Sequence, residues 1–523
     1  MIKSAINRFV VSFSDALMSG RITDKHSLLA EKRRICAYLG LTDVPKNGEI
    51  LSVLDKKYIT KFAGILKSKP VRTLSGVTVV ALMTKPFDCP HGVCLFCPGG
   101  TKFNTPQSYT GFEPAARRAK MNNYDPYEQI QARLKHYVFM GYEPQKIEVI
   151  VIGGTFTTLP KIYRDEFVTQ IYHALNDFPI HAPMQSVQLK EQEKINETGP
   201  VRCVTFAVET KPERCEQVDI NQLLEYGVTR VEMGVQSIYD DVLKRNNRGH
   251  TIRDVIDTTK RLRNNAYKVD YHIMLNLPFS DIDKDKETIR AIYENEDFKP
   301  DAIKIYPTLV INGTGLYNLW KRGLYKSYPL QDIVELIADA EIKAPSWLRI
   351  MRIERDIPSN LVKGGIKITN LRQLVDEYIK ARGKSANDIR SREIGHLNSV
   401  DSPTIRLNRE DYRAAAGDEI FLSIDSIENN AIIGFLRLRI PDSSMEGLIR
   451  ELHIYGEQQP IYSYSEQGFQ HKGLGRELLS TAEEIVKSEY SLKRMKIISG
   501  VGVREYYRKE GYILENAYMV KRF

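Results

Sequence analysis

The chain has 523 residues, enough for two to four domains with large buried cores, and no apolar run approaches the ~20 residues of a membrane-spanning helix. Six cysteines and no evident signal peptide argue against a disulfide framework and predict a reducing, cytoplasmic setting. The net charge of +9 is concentrated at one end: residues 1–75 carry 14 Lys and Arg against 6 Asp and Glu, a surplus that suits a polyanion such as nucleic acid and equally a solvated face of amphipathic helices.

From Ile2 to about Ser75, apolar residues recur at helical spacing (Ile6, Phe9, Val10, Phe13, Leu17, then Leu51, Leu54, Tyr58, Phe62) and predict a small basic helical domain over residues 1–75. Its cations include Lys32, Arg33, Arg34, Lys56, Lys57, Lys61, Lys67, Lys69 and Arg72. Residues 76–345 alternate short β-branched runs with amphipathic segments. The predicted strands are Val77 to Met83, Ile147 to Ile152, Arg202 to Val208, Thr229 to Val235, Lys268 to Leu275 and Ala302 to Tyr306; helical patterns lie at Tyr127 to Met140, Tyr163 to Leu175, Ile252 to Arg263 and Lys284 to Glu294. Such alternation implies parallel strands with right-handed crossovers, hence an α/β fold with an incomplete (βα)6 barrel. The polar stretch Asn176 to Pro200 reads as a loop, and residues 346–395, rich in charge, as a connector.

Chemistry in such barrels sits at the carboxyl ends of the strands. Directly after the first predicted strand come Cys89, Cys94 and Cys97, three cysteines within nine residues; Cys36, Cys203 and Cys215 are scattered. Three thiolates can hold three irons of a cubane cluster and leave the fourth open, whereas a closed zinc site needs four ligands. A zinc knuckle using Cys89, His91, Cys94 and Cys97 fits the spacing as well. After the second strand, Gly153 and Gly154 would let backbone N–H groups approach a ligand. The third strand ends at Glu209, the fourth at Gln236, and the sixth carries Lys304, so polar groups converge on one mouth.

Residues 396–523 read as an α+β unit, with strands at Glu419 to Asp425, Ala431 to Ile440 and Gly447 to Tyr455 leading into Gln470, Gly473, Leu474, Gly475 and Arg476 at the start of a helix. A glycine turn at a helix N-terminus aims unpaired N–H groups and the helix dipole at an anion. There is no third glycine of a dinucleotide fingerprint and no Gly-Lys-Ser/Thr, while Gln-x-x-Gly-x-Gly matches the coenzyme A cradle of acetyltransferases. The stretch Arg504 to Tyr512 then looks like the last helix and turn of those enzymes, with Tyr506 and Tyr507 near a thioester sulfur.

The blocks CPHGVCLFCPGG, TPQSYTGFEP, IGGTF, VEMGVQS, IYPTLVINGTGLY, MRIERDIPSNLV, ELHIYG, GLGRELL and ISGVGVREYYRKEGY, in this order, resemble the catalytic, third subunit of Elongator and its stand-alone archaeal and bacterial relatives. The resemblance implies a radical S-adenosylmethionine (SAM) barrel fused to a GNAT-type acetyltransferase, acting on the wobble uridine in the anticodon loop of tRNA. It implies Cys89, Cys94 and Cys97 as ligands of a [4Fe-4S] cluster whose open iron binds SAM, so that reduction yields a 5′-deoxyadenosyl radical. That radical would take hydrogen from the acetyl-CoA methyl group; addition to uridine C5 and thioester hydrolysis would leave a carboxymethyl group.

By the same resemblance Lys146 is tied to acetyl-CoA binding, and Glu451, Leu452, His453, Ile454, Leu474, Gly475, Arg476 and Tyr507 to the thioester site. Lys304 is a candidate charged contact to SAM or the thioester, or else a structural ion pair. Where some relatives carry zinc-binding cysteines, this chain has Ser385 to Ser391, and Asn276 stands where relatives often have aspartate or glycine. A protein lysine acetyltransferase with a structural metal cluster and a non-catalytic tRNA-binding subunit are the rival readings. The sequence leaves open whether the chain stands alone, forms a homo-oligomer or needs other Elongator-type subunits.

Overall fold

The computed structural model describes residues 2–41, 43–45, 47–51, 53–55, 58, 62–66, 76–179, 188–396, 404–455 and 473–523. The N-terminal unit has its own core: helices Ile2–Met18 and Lys25–Leu39 bury Phe9, Phe13, Leu17 and Ile35 together with Ile50 and Leu51. The second helix starts where the Asp24 carboxylate accepts from the Ser27 N–H and the Ser27 hydroxyl accepts from the Asp24 N–H. It stops at Gly40, whose φ of 66° a side chain would disfavour.

The six predicted barrel strands are present within two residues of their expected bounds: β1 (Val77–Met83), β2 (Lys146–Ile152), β3 (Arg202–Thr210), β4 (Arg230–Gln236), β5 (Lys268–Leu275) and β6 (Ala302–Pro307). They pair in parallel and in chain order, and among the described residues the sheet is open at both edges, a half-barrel. Its interior strands were legible because a parallel sheet covered on both faces reads as near-continuous apolar sequence; every residue of β5 after Lys268 is buried.

Two expectations are corrected. The supposed connector begins with a seventh strand, β8 (Arg349–Arg352), parallel to β6; a small antiparallel pair, β7 (Val310–Ile311) and β9 (Val362–Gly364), flanks it. Ile350 fills the core while Arg349 pairs with Glu393 and donates to the Tyr455 hydroxyl, so part of the charge that suggested a connector is internal; Arg352 and Asp356 pair at the surface. Within the supposed loop 176–200 lies helix Leu189–Thr198. Its buried face is polar (Gln192, Glu193, Asn196, Glu197), which removed the apolar period that would have marked it. Asn196 bonds the Val201 carbonyl and the Cys203 N–H, and the two glutamates meet arginines of the C-terminal unit.

That unit is one sheet in the order β10 (Ile405–Arg413), β11 (Gly417–Ser426), β12 (Ala431–Pro441), β13 (Gly447–Ile454), β14 (Arg494–Ile498), β16 (Tyr518–Arg522), β15 (Ile513–Glu515), with helix Leu474–Ser488 against it. The apolar core runs without a break from the half-barrel into this sheet. The junction also holds a buried ionic lattice at the amino ends of the barrel strands. Arg450 bonds Asp301 (2.6 and 2.7 Å) and Glu419 (2.6 Å), Arg263 and Arg439 reach Glu419 at 2.9 and 2.8 Å, and Lys268 reaches Glu451 at 2.7 Å. Gly500 and Gly502 belong to the same junction: a Cβ at Gly500 would lie 2.1 Å from the Val204 carbonyl oxygen, and one at Gly502 2.5 Å from Arg202 Cβ.

Candidate active site

Two turns shape the cysteine loop, closed by the Gly92 N–H on the Cys89 carbonyl (2.9 Å) and the Cys97 N–H on the Cys94 carbonyl (3.0 Å). Gly92 takes φ 87° to permit the first. The sulfurs lie among fixed donors: the Ser108 N–H donates to Cys97 Sγ (3.1 Å), Arg248 Nη1 to Cys94 Sγ (3.4 Å), and His91 Nε2 lies 3.2 Å from Cys94 Sγ. Burial pushes the Cys97 thiol up to about 11, with Cys94 adding to the rise, and Cys89 is raised by the same two causes in that order. Burial, Lys211 and Arg248 hold His91 down at about 4, so its imidazole is neutral. Three convergent thiols ringed by cations fit an anionic three-thiolate cluster, since the positive surroundings offset the thiolate charge.

The mouth residues lie where expected. The Tyr109 hydroxyl donates to the Glu209 carboxylate, 2.9 Å from Oε2 and 3.1 Å from Oε1, and the Gly153 N–H makes a longer bond to Oε2 (3.4 Å). Gly153 is obligatory: φ is 127°, and a Cβ would sit 2.6 Å from Thr84 Oγ1. Gly154 follows at φ 104°. Gln236 is left-handed (φ 73°), and its buried amide oxygen has no partner among the described residues. Such an orphaned acceptor at the mouth suits a ligand donor.

Lys304 is buried with its ammonium on Glu232 Oε2; Arg230 holds the other carboxylate oxygen at 3.0 Å, and His272 Nε2 lies 3.1 Å from Oε2. Glu209, Glu232 and His272 cluster closely enough for a metal ion, but two cations already neutralise Glu232, which removes the charge a metal would need. Asn276 (φ 59°) is a latch: its side-chain oxygen accepts from the Tyr325 hydroxyl and the Tyr328 N–H.

Lys146 opens β2 and is thus at the opposite end of the barrel from the cysteines, about 20 Å along the strand from Ile152. It lies beside Arg202 in register, near the Gly502 contact with the C-terminal unit. Burial alone lowers its ammonium, which makes no ion pair among the described residues.

In the C-terminal unit β13 pairs with β14 only from Gly447 to Ile449, then runs on to Ile454 with that edge unpaired among the described residues. The strands splay, and those backbone groups of β13 beyond Ile449 that point away from its other neighbour β12 face the gap. Gly473 (φ 87°) turns the chain into helix Leu474–Ser488, and Gly475 packs where a Cβ would be 3.1 Å from the Tyr506 hydroxyl and 3.8 Å from Ile454 Cγ1. Ile454, Gly475 and Tyr506 are therefore brought together. Tyr507 is buried, edge-on to Tyr506 and Tyr512. Arg476 forms a two-pronged pair with Glu510, His453 stacks on Phe435 and lies tilted against Tyr455, and Leu452 is half-buried. The Glu451 carboxylate turns to the junction, on Lys268 and Arg437. Gln470 lies outside the described residues.

One expected RNA contact is corrected. Lys32 is only 5% exposed and donates to Asn47 Oδ1 (3.0 Å), whereas Arg33 and Arg34 are both exposed, Arg34 in a pair with Glu31. Lys56, Lys57, Lys61, Lys67, Lys69 and Arg72 lie outside the described residues. Sequence reasoning missed Arg248, Ser108, Tyr109 and Arg355, which donates to the Ser108 carbonyl. Tyr109 and Ser108 sat in a quoted block without a role; Arg248 had no local signal.

Radical SAM enzymes carry three thiolates in this position on an open parallel barrel, and a splayed strand pair facing a glycine-turned helix is the acyl-CoA site of GNAT acetyltransferases; this chain joins one of each. Residues 86–292 match the Radical SAM superfamily, 300–381 the Radical_SAM C-terminal domain, 390–512 the Acetyltransferase (GNAT) family and 7–74 the ELP3 N-terminal domain. The tRNA uridine(34) acetyltransferase of Methanocaldococcus jannaschii is 45% identical over 495 residues, 91% of this chain and 90% of that protein. Elongator complex protein 3 of Saccharomyces cerevisiae is 40% identical over 504 residues, 92% and 89% of the two chains. The structure of the archaeal Methanocaldococcus infernus Elp3 with an N-terminal deletion superposes with a TM-score of 0.75 at 39% identity, covering 86% of this chain and all of that one. The chain belongs to the Elongator complex protein 3 family. Its two catalytic families use a [4Fe-4S] cluster with SAM and acetyl-CoA, respectively. No helix among the described residues is long and apolar enough to cross a membrane.

Proposed function

We propose that this chain modifies the wobble uridine (U34) of tRNA to 5-carboxymethyluridine, with acetyl-CoA as carbon source and SAM as radical source. The observation that carries this reading is the docking of a three-thiolate half-barrel and an acyl-CoA cradle in one body, in a chain 45% identical to a protein named for that uridine. The cluster and SAM, when bound, supply one-electron cleavage and hydrogen abstraction.

The chain's own residues do the rest. Arg248, Ser108 and His91 orient and polarise the ligand sulfurs. Gln236 and the Gly153–Gly154 turn present an unpaired acceptor and close backbone at the mouth. Lys304, His272 and Arg230 keep Glu232 ionised inside the wall, and Tyr109 holds Glu209. In the cradle, the free edge of β13 and the N-terminus of helix Leu474–Ser488 bind the thioester and pyrophosphate arms, with Tyr506 at their meeting point. A stand-alone enzyme in the cytoplasm is the simplest assembly for this reading.

Anaerobic incubation of the iron–sulfur-reconstituted protein with tRNA, SAM, acetyl-CoA and a one-electron reductant such as dithionite, followed by nucleoside mass spectrometry, tests it: 5-carboxymethyluridine is expected. Its absence together with acetylation of lysine peptides would overturn the tRNA reading in favour of a protein acetyltransferase.

A further inference from the structure

Residues 99–112 form a strap with two faces. The inner face is tied to the barrel mouth: the Ser108 N–H bonds Cys97 Sγ (3.1 Å), the Ser108 carbonyl accepts from Arg355, and the Tyr109 hydroxyl bonds Glu209 at the end of β3. Two glycines impose the closure. Gly99 has φ 76°, and a Cβ there would lie 2.1 Å from the Tyr109 carbonyl oxygen; Gly111 has φ 86° and would clash with Thr105 Oγ1 at 2.8 Å. The strap is therefore a built, fixed element rather than a loose connection.

Its outer face carries two phenyl rings in water. Phe103 is 64% exposed and Phe112 58%, and neither takes part in any apolar cluster among the described residues. Lys102 is exposed next to the first ring, and Arg117 and Lys120 on the helix Pro114–Met121 that follows the second. Glu113, the single carboxylate in this stretch, is turned inward onto the N–H groups of Thr110 and Gly111, so it does not offset these cations at the surface. Core packing gives no reason for such rings to stand on a rigid strap among cations. Aromatic faces flanked by Lys and Arg are, however, what unpaired nucleobases and their phosphates bind: stacking tolerates any base, and the cations replace condensed counterions.

We propose that this outer face is a docking surface for single-stranded RNA, with bases of the anticodon loop stacked on Phe103 and Phe112 and phosphates on Lys102, Arg117 and Lys120. The inference rests on the tRNA reading. It makes the strap a ruler: the same short backbone that bonds the Cys97 sulfur inside positions the RNA outside.

The test uses the full chain and an unmodified tRNA transcript with uridine at the wobble position, plus an anticodon stem-loop carrying 2-aminopurine in the loop. Phe103→Ala and Phe112→Ala are each expected to weaken binding by about five- to a hundredfold, the range of one lost base stack. Quenching of 2-aminopurine should fall with them, and Phe103→Tyr and Phe112→Tyr should restore both. Lys102→Ala should shrink the salt dependence by about one counterion. Because both rings are exposed, acetyl-CoA binding by calorimetry should be unchanged in all variants. If the unaltered protein binds tRNA and both alanine variants bind it equally well, the docking surface is wrong while the function stands. If the unaltered protein binds no tRNA, both readings fall.

Discussion

Arg504, in the short helix that carries Tyr506 and Tyr507, lies 3.1 Å from Glu197 and 3.3 Å from Glu193 of the half-barrel. All three side chains are nearly inaccessible, so the helix lining the acyl-CoA cradle is anchored by the radical half of the molecule. Breaking a buried pair by removing one partner typically costs about 3–5 kcal/mol, because the other charge is left unpaired. Arg504→Met is expected to lower the melting temperature and weaken acetyl-CoA binding by at least tenfold. Calorimetry showing normal affinity would detach the cradle's geometry from this anchor.

Gly500 gives a steric counterpart. A methyl group there would meet the Val204 carbonyl at 2.1 Å, a backbone atom that cannot rotate away. Gly500→Ala should therefore loosen the docking of the two halves, seen as faster amide exchange along β3, whereas Gly383→Ala, with open space around its Cβ position, should leave that exchange alone.

Acid stability should report on Glu451. Burial raises its pKa, but Lys268 and then Arg437 outweigh burial and hold the carboxyl at about 2 against an ordinary 4.5. A carboxyl lowered in the folded state adds stability above its unfolded pKa and loses it as pH falls through the folded value, so this contribution fades between about pH 5 and 2. The shift corresponds to roughly 3 kcal/mol. Glu451→Gln should be less stable at pH 7 and show a flatter acid-unfolding profile over that window.

Removal of the thiolates should separate the two halves chemically. The triple substitution Cys89→Ala, Cys94→Ala, Cys97→Ala is expected to abolish iron binding and uridine modification while acetyl-CoA still binds, since the cradle shares no residue with the cysteine loop. Arg248→Met, which removes the cation on Cys94 Sγ, should lower the reduction potential of the reconstituted cluster, because a nearby positive charge favours the more negative, reduced form. Spectroelectrochemistry giving an unchanged midpoint would show that this hydrogen bond does not tune the cluster.

For the N-terminal unit, Arg33→Glu should weaken tRNA binding and flatten its salt dependence. Lys32→Met should leave tRNA affinity unchanged, because that ammonium is buried on Asn47. Equal effects of the two substitutions would contradict this division of roles.

The half-barrel was legible because its strands are buried on both faces, and the cysteine loop because three thiols in nine residues need no context. Strand β10 was not, since as an edge strand it is largely exposed and reads as polar sequence. Helix Leu189–Thr198 was missed for a related reason, since the groups it buries are polar or charged and satisfied by distant partners, and strand β8 because it buries a single apolar residue, Ile350, between arginines. Lys32 shows the converse error, a basic run read as surface although one member points into the bundle.

By itself the sequence determined the order of the six barrel strands, the polar groups at the strand ends and the two cofactor motifs, all properties of neighbouring residues and local periods. Only the tertiary structure decided that the acyl-CoA unit docks on the amino ends of the barrel strands, that Lys304 belongs to Glu232, and that Tyr506 rather than Tyr507 reaches the glycine turn. Those pairings join residues far apart in the chain, Arg504 and Glu193 being 311 positions apart, and no local pattern carries the energy of a contact that forms only when two cores meet.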